Sequence, residues 1–192
     1  MTIFLILAPY GVFSALMLVA SASVSLFAAG GVCLAVIALD AYRGRSVKIL
    51  GAGSAVVFAG LGSYFTFIDP SLSVSAIKFF TDAGILAISA GSMLIRHPFS
   101  LQYALERVPA ETAAMPGFLR ANYIITAVWS AAGLLMALSN AAMLYVPGLP
   151  IWLSLAIAFA ARNSAIYFTK WYPEYRRTKP APPVTDALPD PR

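Results

Sequence analysis

Two stretches of this chain, residues 1–39 and 121–161, carry no charged side chain at all. A bilayer core about 30 Å thick is crossed by roughly 20 apolar residues in a helix, so each stretch is long enough for two crossings. The first breaks best at Ser21-Ala22-Ser23, giving helices near 2–20 and 24–42. The second breaks at Val146-Pro147-Gly148-Leu149-Pro150, giving helices near 121–145 and 150–168. Residues 49–68 form another uncharged span, stopped at Asp69-Pro70, where proline removes a backbone donor and favours a turn. Residues 73–95 complete the set and carry Lys78 and Asp82. Composition agrees: 11% of residues are charged and 60% hydrophobic, whereas a soluble domain carries about 25% charged residues.

The expected fold is therefore all-α: a polytopic bundle of six transmembrane helices over residues 1–178. A proline-rich tail, 179–192, holds too little apolar surface to join a core and is expected to be disordered. Ala20-Ser21-Ala22 looks like a signal-peptidase site, but no basic segment precedes it, so the first span is expected to be retained. Arg43, Arg45 and Lys48, then Arg96, Arg107 and Arg120, then Lys170, Arg176, Arg177, Lys179 and Arg192 all fall on one side of such a bundle. Cytoplasmic loops are enriched in lysine and arginine, which predicts both chain ends in the cytoplasm. The net charge of +5 is used up in that asymmetry, and a nucleic-acid partner is not expected.

One cysteine, Cys33, and one histidine, His97, exclude an internal disulfide and leave no basis for a metal or other cofactor site. Charged and amide side chains inside the spans are the candidates for function, because they are expensive in lipid. Lys78 and Asp82 sit four residues apart on one helix face, where they can neutralise each other. Arg162 and Asn163 lie beyond the middle of the last span, and Asn140 lies near the end of the fifth. Lys78, Asp82, Arg162, Asn163 and Asn140 are thus read as an intramembrane polar site, either a structural ion-pair network or a polar path. In the inner loop, Leu101, Ala104, Leu105 and Val108 recur at helical spacing, predicting a short helix on the membrane surface that ends at Pro109. Beside it, Arg96, His97, Pro98, Phe99 and Arg107 form a second candidate cluster. Rows of small residues at four-residue spacing (Ala55, Ala59, Ser63; Ala83, Ala87, Gly91; Gly133, Ala137, Ala141; Ala156, Ala160, Ser164) predict close helix packing.

From the fourth span onward the order of features resembles the bacterial intracellular septation protein A family. Lys78 in an apolar span is followed by Arg96-His97-Pro98-Phe99, Pro116-Gly117-Phe118, Asn122, Trp129, Asn140 and Pro147. The resemblance covers residues 78–173. It implies a multi-pass protein of the bacterial inner membrane, linked to envelope synthesis and division. Such a protein works in membrane lipid through contacts with other membrane proteins or with itself, and no catalytic residues carry over. A small transporter or channel using Lys78, Asp82 and Arg162 is the competing reading. A third places a lipid-modifying enzyme around His97, Arg96 and Arg107, although no nucleophile is tied to His97 by spacing.

Overall fold

The computed structural model describes residues 3–115, 117–146 and 148–178, so the expected tail lies outside the described residues. The elements are all helical: α1 (Ile3–Leu16), α2 (Ala22–Tyr42), α3 (Ile49–Phe67), α4 (Val74–Leu94), α5 (Phe99–Leu105), α6 (Ala110–Ala113), α7 (Phe118–Tyr145) and α8 (Ile151–Thr178). Five of them, α2, α3, α4, α7 and α8, are long and apolar enough to cross a membrane. The first is shorter than its sequence suggests: the helix gives way to a turn after Leu16, and Ser21 then caps α2 by accepting from the amide of Val24. At about 1.5 Å per residue, the 14 residues of α1 reach about 21 Å. The last helix is longer, running through Pro173 to a final turn that carries Arg176 and Arg177, cations suited to the helix C-terminus.

Neighbours in sequence are neighbours in space: α1 lies on α2, α2 on α3, α3 on α4, α4 on α7 and α7 on α8. Contact between α3 and α4 depends on two glycines. A Cβ on Gly84 would fall 2.9 Å from both γ-methyls of Val57, and one on Gly53 would fall 2.7 Å from Ile88. Around Phe58, which is fully buried, stand Tyr10 and Phe13 with ring centroids 5.9 and 5.5 Å away. On α8 the inward row is Ser154, Ala161 and Ala165, while Ala156, Ala160 and Ser164 face outward. The small-residue row read from the sequence there is exposed and does not pack within this bundle, while Ser154 turns inward to hydrogen-bond Asn140.

The distribution of polarity is that of a multi-pass membrane protein. Large apolar side chains stand exposed on every long helix: Leu34, Val56, Phe80, Leu138 and Phe159. The buried set is rich in hydroxyls and amides, among them Ser54, Thr81, Ser89, Asn122, Thr126 and Asn140. A protein in water has the opposite arrangement, whereas in lipid the polar groups must find partners within the bundle.

Candidate functional site

Two cavities are lined in part by charged side chains. The first lies mainly among α1, α4, α7 and α8, with Leu50 and Phe99 at its edge, has a volume of about 70 Å³, and opens to its surroundings. Asp82 from α4 and Arg162 from α8 line it, between the apolar walls of Leu86, Trp129 and Met136. Asp82 is held from α7: Asn140 donates through Nδ2 to Oδ2 at 2.8 Å, and Asn140 Oδ1 accepts from the Ser154 hydroxyl at 3.3 Å. Asn140 is only 6% exposed, so the chain Asp82–Asn140–Ser154 ties three helices together in the interior. The indole of Trp129 donates to Thr169 Oγ1 at 2.9 Å, fixing the opposite wall.

The expected pairing of Lys78 with Asp82 does not form. Ion pairs among the described residues are Arg45–Asp40 and Lys48–Glu106. The α4 face carrying Asp82 turns to α7, where the Asn140 amide takes the place that an ammonium would have had. Asn163 departs from the group as well. It is exposed, and its side chain donates to the carbonyl of Phe159 on its own helix at 2.8 Å. Consecutive helical residues cannot share a face, so placing Arg162 in the cavity turns Asn163 away from it. Asp82, Asn140 and Arg162 are thus brought together, while Lys78 and Asn163 are not.

At the end of the bundle that collects the basic loops lies a second cleft, walled by α1, α2, α3 and α5. Its floor follows from the Arg43-Gly44-Arg45 turn. Gly44 adopts φ +68°, the Arg45 amide bonds back to the Asp40 carbonyl at 2.9 Å, and Gly44 N bonds to Ala41 O at 3.0 Å. This helix-ending pattern uses a glycine for the left-handed residue, and it folds Arg45 over Asp40, leaving Nη1 3.6 Å from Oδ1. Lys48, 4% exposed, donates to Ser46 O and Oγ and pairs with Glu106 across the cleft. Between the two cavities, Tyr10 and Ser54 share a hydrogen bond of 2.5 Å. Ile6, Tyr10 and Leu50 line both cavities, so the spaces adjoin along α1.

The Arg96–Arg107 cluster divides by role. Pro98 and Phe99 are buried, and the Phe99 amide donates to Ser92 Oγ at 3.0 Å. The Ser100 hydroxyl donates to Asn122 O at 2.9 Å, and Gln102 Oε1 caps α3 by accepting from the Ile49 amide at 2.8 Å. The side of α5 that meets the protein thus joins buried Phe99 to the hydrogen-bonding Ser100 and Gln102, and the helix ends at Leu105 rather than at Pro109. Arg96 is exposed with φ +61°, and exposed His97 places Nδ1 3.0 Å from the Ile95 carbonyl. His97 and Arg96 line neither cavity; Arg107 stands at the mouth of the second.

Sequence reasoning missed Asp40, Glu106, Tyr10 and Ser54. The signal for Asp40 was present: a carboxylate inside the second predicted span, just ahead of Arg-Gly-Arg. Tyr103, beside Lys48 at 5.9 Å, has its phenol pushed above the ordinary range, first by burial and then by neighbouring groups including Asp40 and Glu106. No group of three or more His, Cys, Asp or Glu side chains suited to a metal occurs among the described residues. Comparison with known proteins finds no matching family model, no matching curated protein and no matching solved structure.

Proposed function

We propose that this protein crosses a bacterial inner membrane six times, with both ends in the cytoplasm, and carries the head of an amphiphilic lipid through its interior. The observation that supports this best is the cavity lined by both Asp82 and Arg162. Here a carboxyl, held by Asn140, and a guanidinium line an apolar-walled space that adjoins a second, charged cleft. Such a space offers one acceptor and one donor to a polar head and apolar contact to the rest of a molecule. In this arrangement α1 completes the six crossings, and α5 rests at the cytoplasmic surface between the fourth and fifth.

Purified protein in liposomes containing a fluorescent phospholipid tests the proposal. Transbilayer movement, read as dithionite quenching, should exceed that of protein-free vesicles and fall to background in Asp82→Asn and Arg162→Leu. Rates equal to protein-free vesicles for the unaltered protein would overturn it.

The septation-type role supplies a second reading, favoured by one observation. Pro98, Phe99 and Asn122, which carry part of that resemblance, form the buried joint between α4, α5 and α7. A protein whose characteristic residues build a joint serves by holding a surface for other membrane proteins or for itself. Under this reading Asp82→Asn leaves cell division untouched, while Asn122→Leu disturbs it.

A further inference from the structure

The cleft at the basic end has unused hydrogen-bonding capacity of a particular kind. Lys48 is fully engaged by Ser46 and Glu106. Tyr10 and Ser54 satisfy each other. Asp40 is 4% exposed and its Oδ1 has no hydrogen-bond partner, although it is buried; the same is true of Arg45 Nη1. The two atoms face each other at 3.6 Å, too far for a hydrogen bond. Arg107, exposed at the mouth, has no ion-pair partner among the described residues. Asp40 and Arg45 thus form an ion pair without a hydrogen bond, and because buried polar atoms are almost always hydrogen-bonded, the acceptor and the donor each have room for one bond from a ligand with both characters. Leu5, Ile6, Pro9 and Val36 line the side of this cleft formed by α1 and α2.

We infer that this cleft binds the headgroup of a phospholipid bearing a primary ammonium, with the phosphate on Arg107 and Arg45 and the ammonium on Asp40 Oδ1. The acyl chains leave along the apolar side of α1. The inference rests on the membrane reading of the chain but not on transport, and binding without flux separates the two. Each contact has its own chemical reason. A guanidinium matches phosphate oxygens with paired N–H groups. An ammonium with three N–H donors can satisfy a buried carboxylate oxygen, and a trimethylated ammonium has none to give.

Native mass spectrometry tests the site. Full-length protein is equilibrated with phosphatidylcholine vesicles doped with either phosphatidylethanolamine or phosphatidylglycerol, and retained lipid is read from the added mass. The expected result is retention of phosphatidylethanolamine at least tenfold over both others. Asp40→Asn should abolish that preference. Arg107→Gln, at an exposed position that leaves folding intact, should weaken phosphatidylethanolamine and phosphatidylglycerol alike by about tenfold. Equal retention of all three lipids, or binding unchanged in Arg107→Gln, would overturn the inference. Retention of soluble phosphoethanolamine as tight as that of the whole lipid would overturn its lipid part and assign the cleft to a soluble zwitterion.

Discussion

Replacing Asn140 with alanine removes the donor that holds Asp82 and the acceptor that receives the Ser154 hydroxyl. The two losses differ in size. A hydrogen bond to a charged acceptor contributes about 1.5–3 kcal/mol. The Ser154 bond is neutral and 3.3 Å long, and interhelical bonds of that kind in membranes average about 0.6 kcal/mol. Together they give a loss of about 2–3.5 kcal/mol, or roughly 30- to 300-fold in the folded-to-unfolded ratio at 1.4 kcal/mol per tenfold. Reversible unfolding by SDS in mixed micelles, followed by far-ultraviolet helicity, reads it directly. The decisive measurement is the double-mutant cycle of Asp82→Ala with Asn140→Ala, with Ser154→Ala as the neutral comparison. A coupling above about 1.5 kcal/mol is expected if Asn140 serves an ionised carboxyl. Coupling at or below about 0.6 kcal/mol would make Asp82 an ordinary polar neighbour, and the reasoning that assigns it an interior role would fail.

Other consequences can be measured in the same system. Glu106→Leu strips the carboxylate from a 4%-exposed ammonium; with Ser46 still accepting, it should cost about 2–3 kcal/mol, near the low end for a broken buried pair. Lys48→Met leaves Glu106 with a side chain 26% exposed and able to hydrate, so its cost should stay within about 1 kcal/mol; equal losses would refute this asymmetry. Gly84→Val must displace Val57, 2.9 Å from the new Cβ, and should cost about 1–3 kcal/mol by overpacking, whereas Gly60→Ala, which meets nothing within 4 Å, should change little. The raised Tyr103 phenol makes the folded state hold its proton longer than the unfolded state, which releases it near pH 10. Its contribution is therefore complete below that pH and lost as pH rises above it. An alkaline decline in stability that persists undiminished in Tyr103→Phe would contradict this.

The long helices were legible because a run of apolar residues bounded by Pro, Gly or a charge admits few other structures. Asp69-Pro70 and Ser73 ended α3 and began α4 within a residue of the reading. The limits of α1 and α8 were less visible. The first span's apolar run continues past Leu16 although its helix does not, and the polar residues from Lys170 onward hide a helix that continues beyond the apolar stretch. Asp82, Arg162 and Asn140 could be nominated from their cost in lipid alone. Their convergence could not, because it depends on how α4, α7 and α8 are rotated. That rotation also made Asn140 rather than Lys78 the partner of Asp82, although four-residue spacing favoured the lysine. Asp40 and Glu106 escaped notice for a related reason: each looks like an ordinary charge at a helix end, and only the fold brings Arg45 and Lys48 to them.

The clasp formed by α5 also bears on how the chain is made. The Ile49 amide and the Lys48 ammonium, at the start of α3, find their partners in Gln102 and Glu106, which lie 53 and 58 residues further along. At roughly 5–20 residues per second of synthesis, several seconds pass in which a lysine destined for burial has no carboxylate to meet. The helices before α5 can form in that interval, but the start of α3 stays open until the ribosome has delivered the segment that latches it.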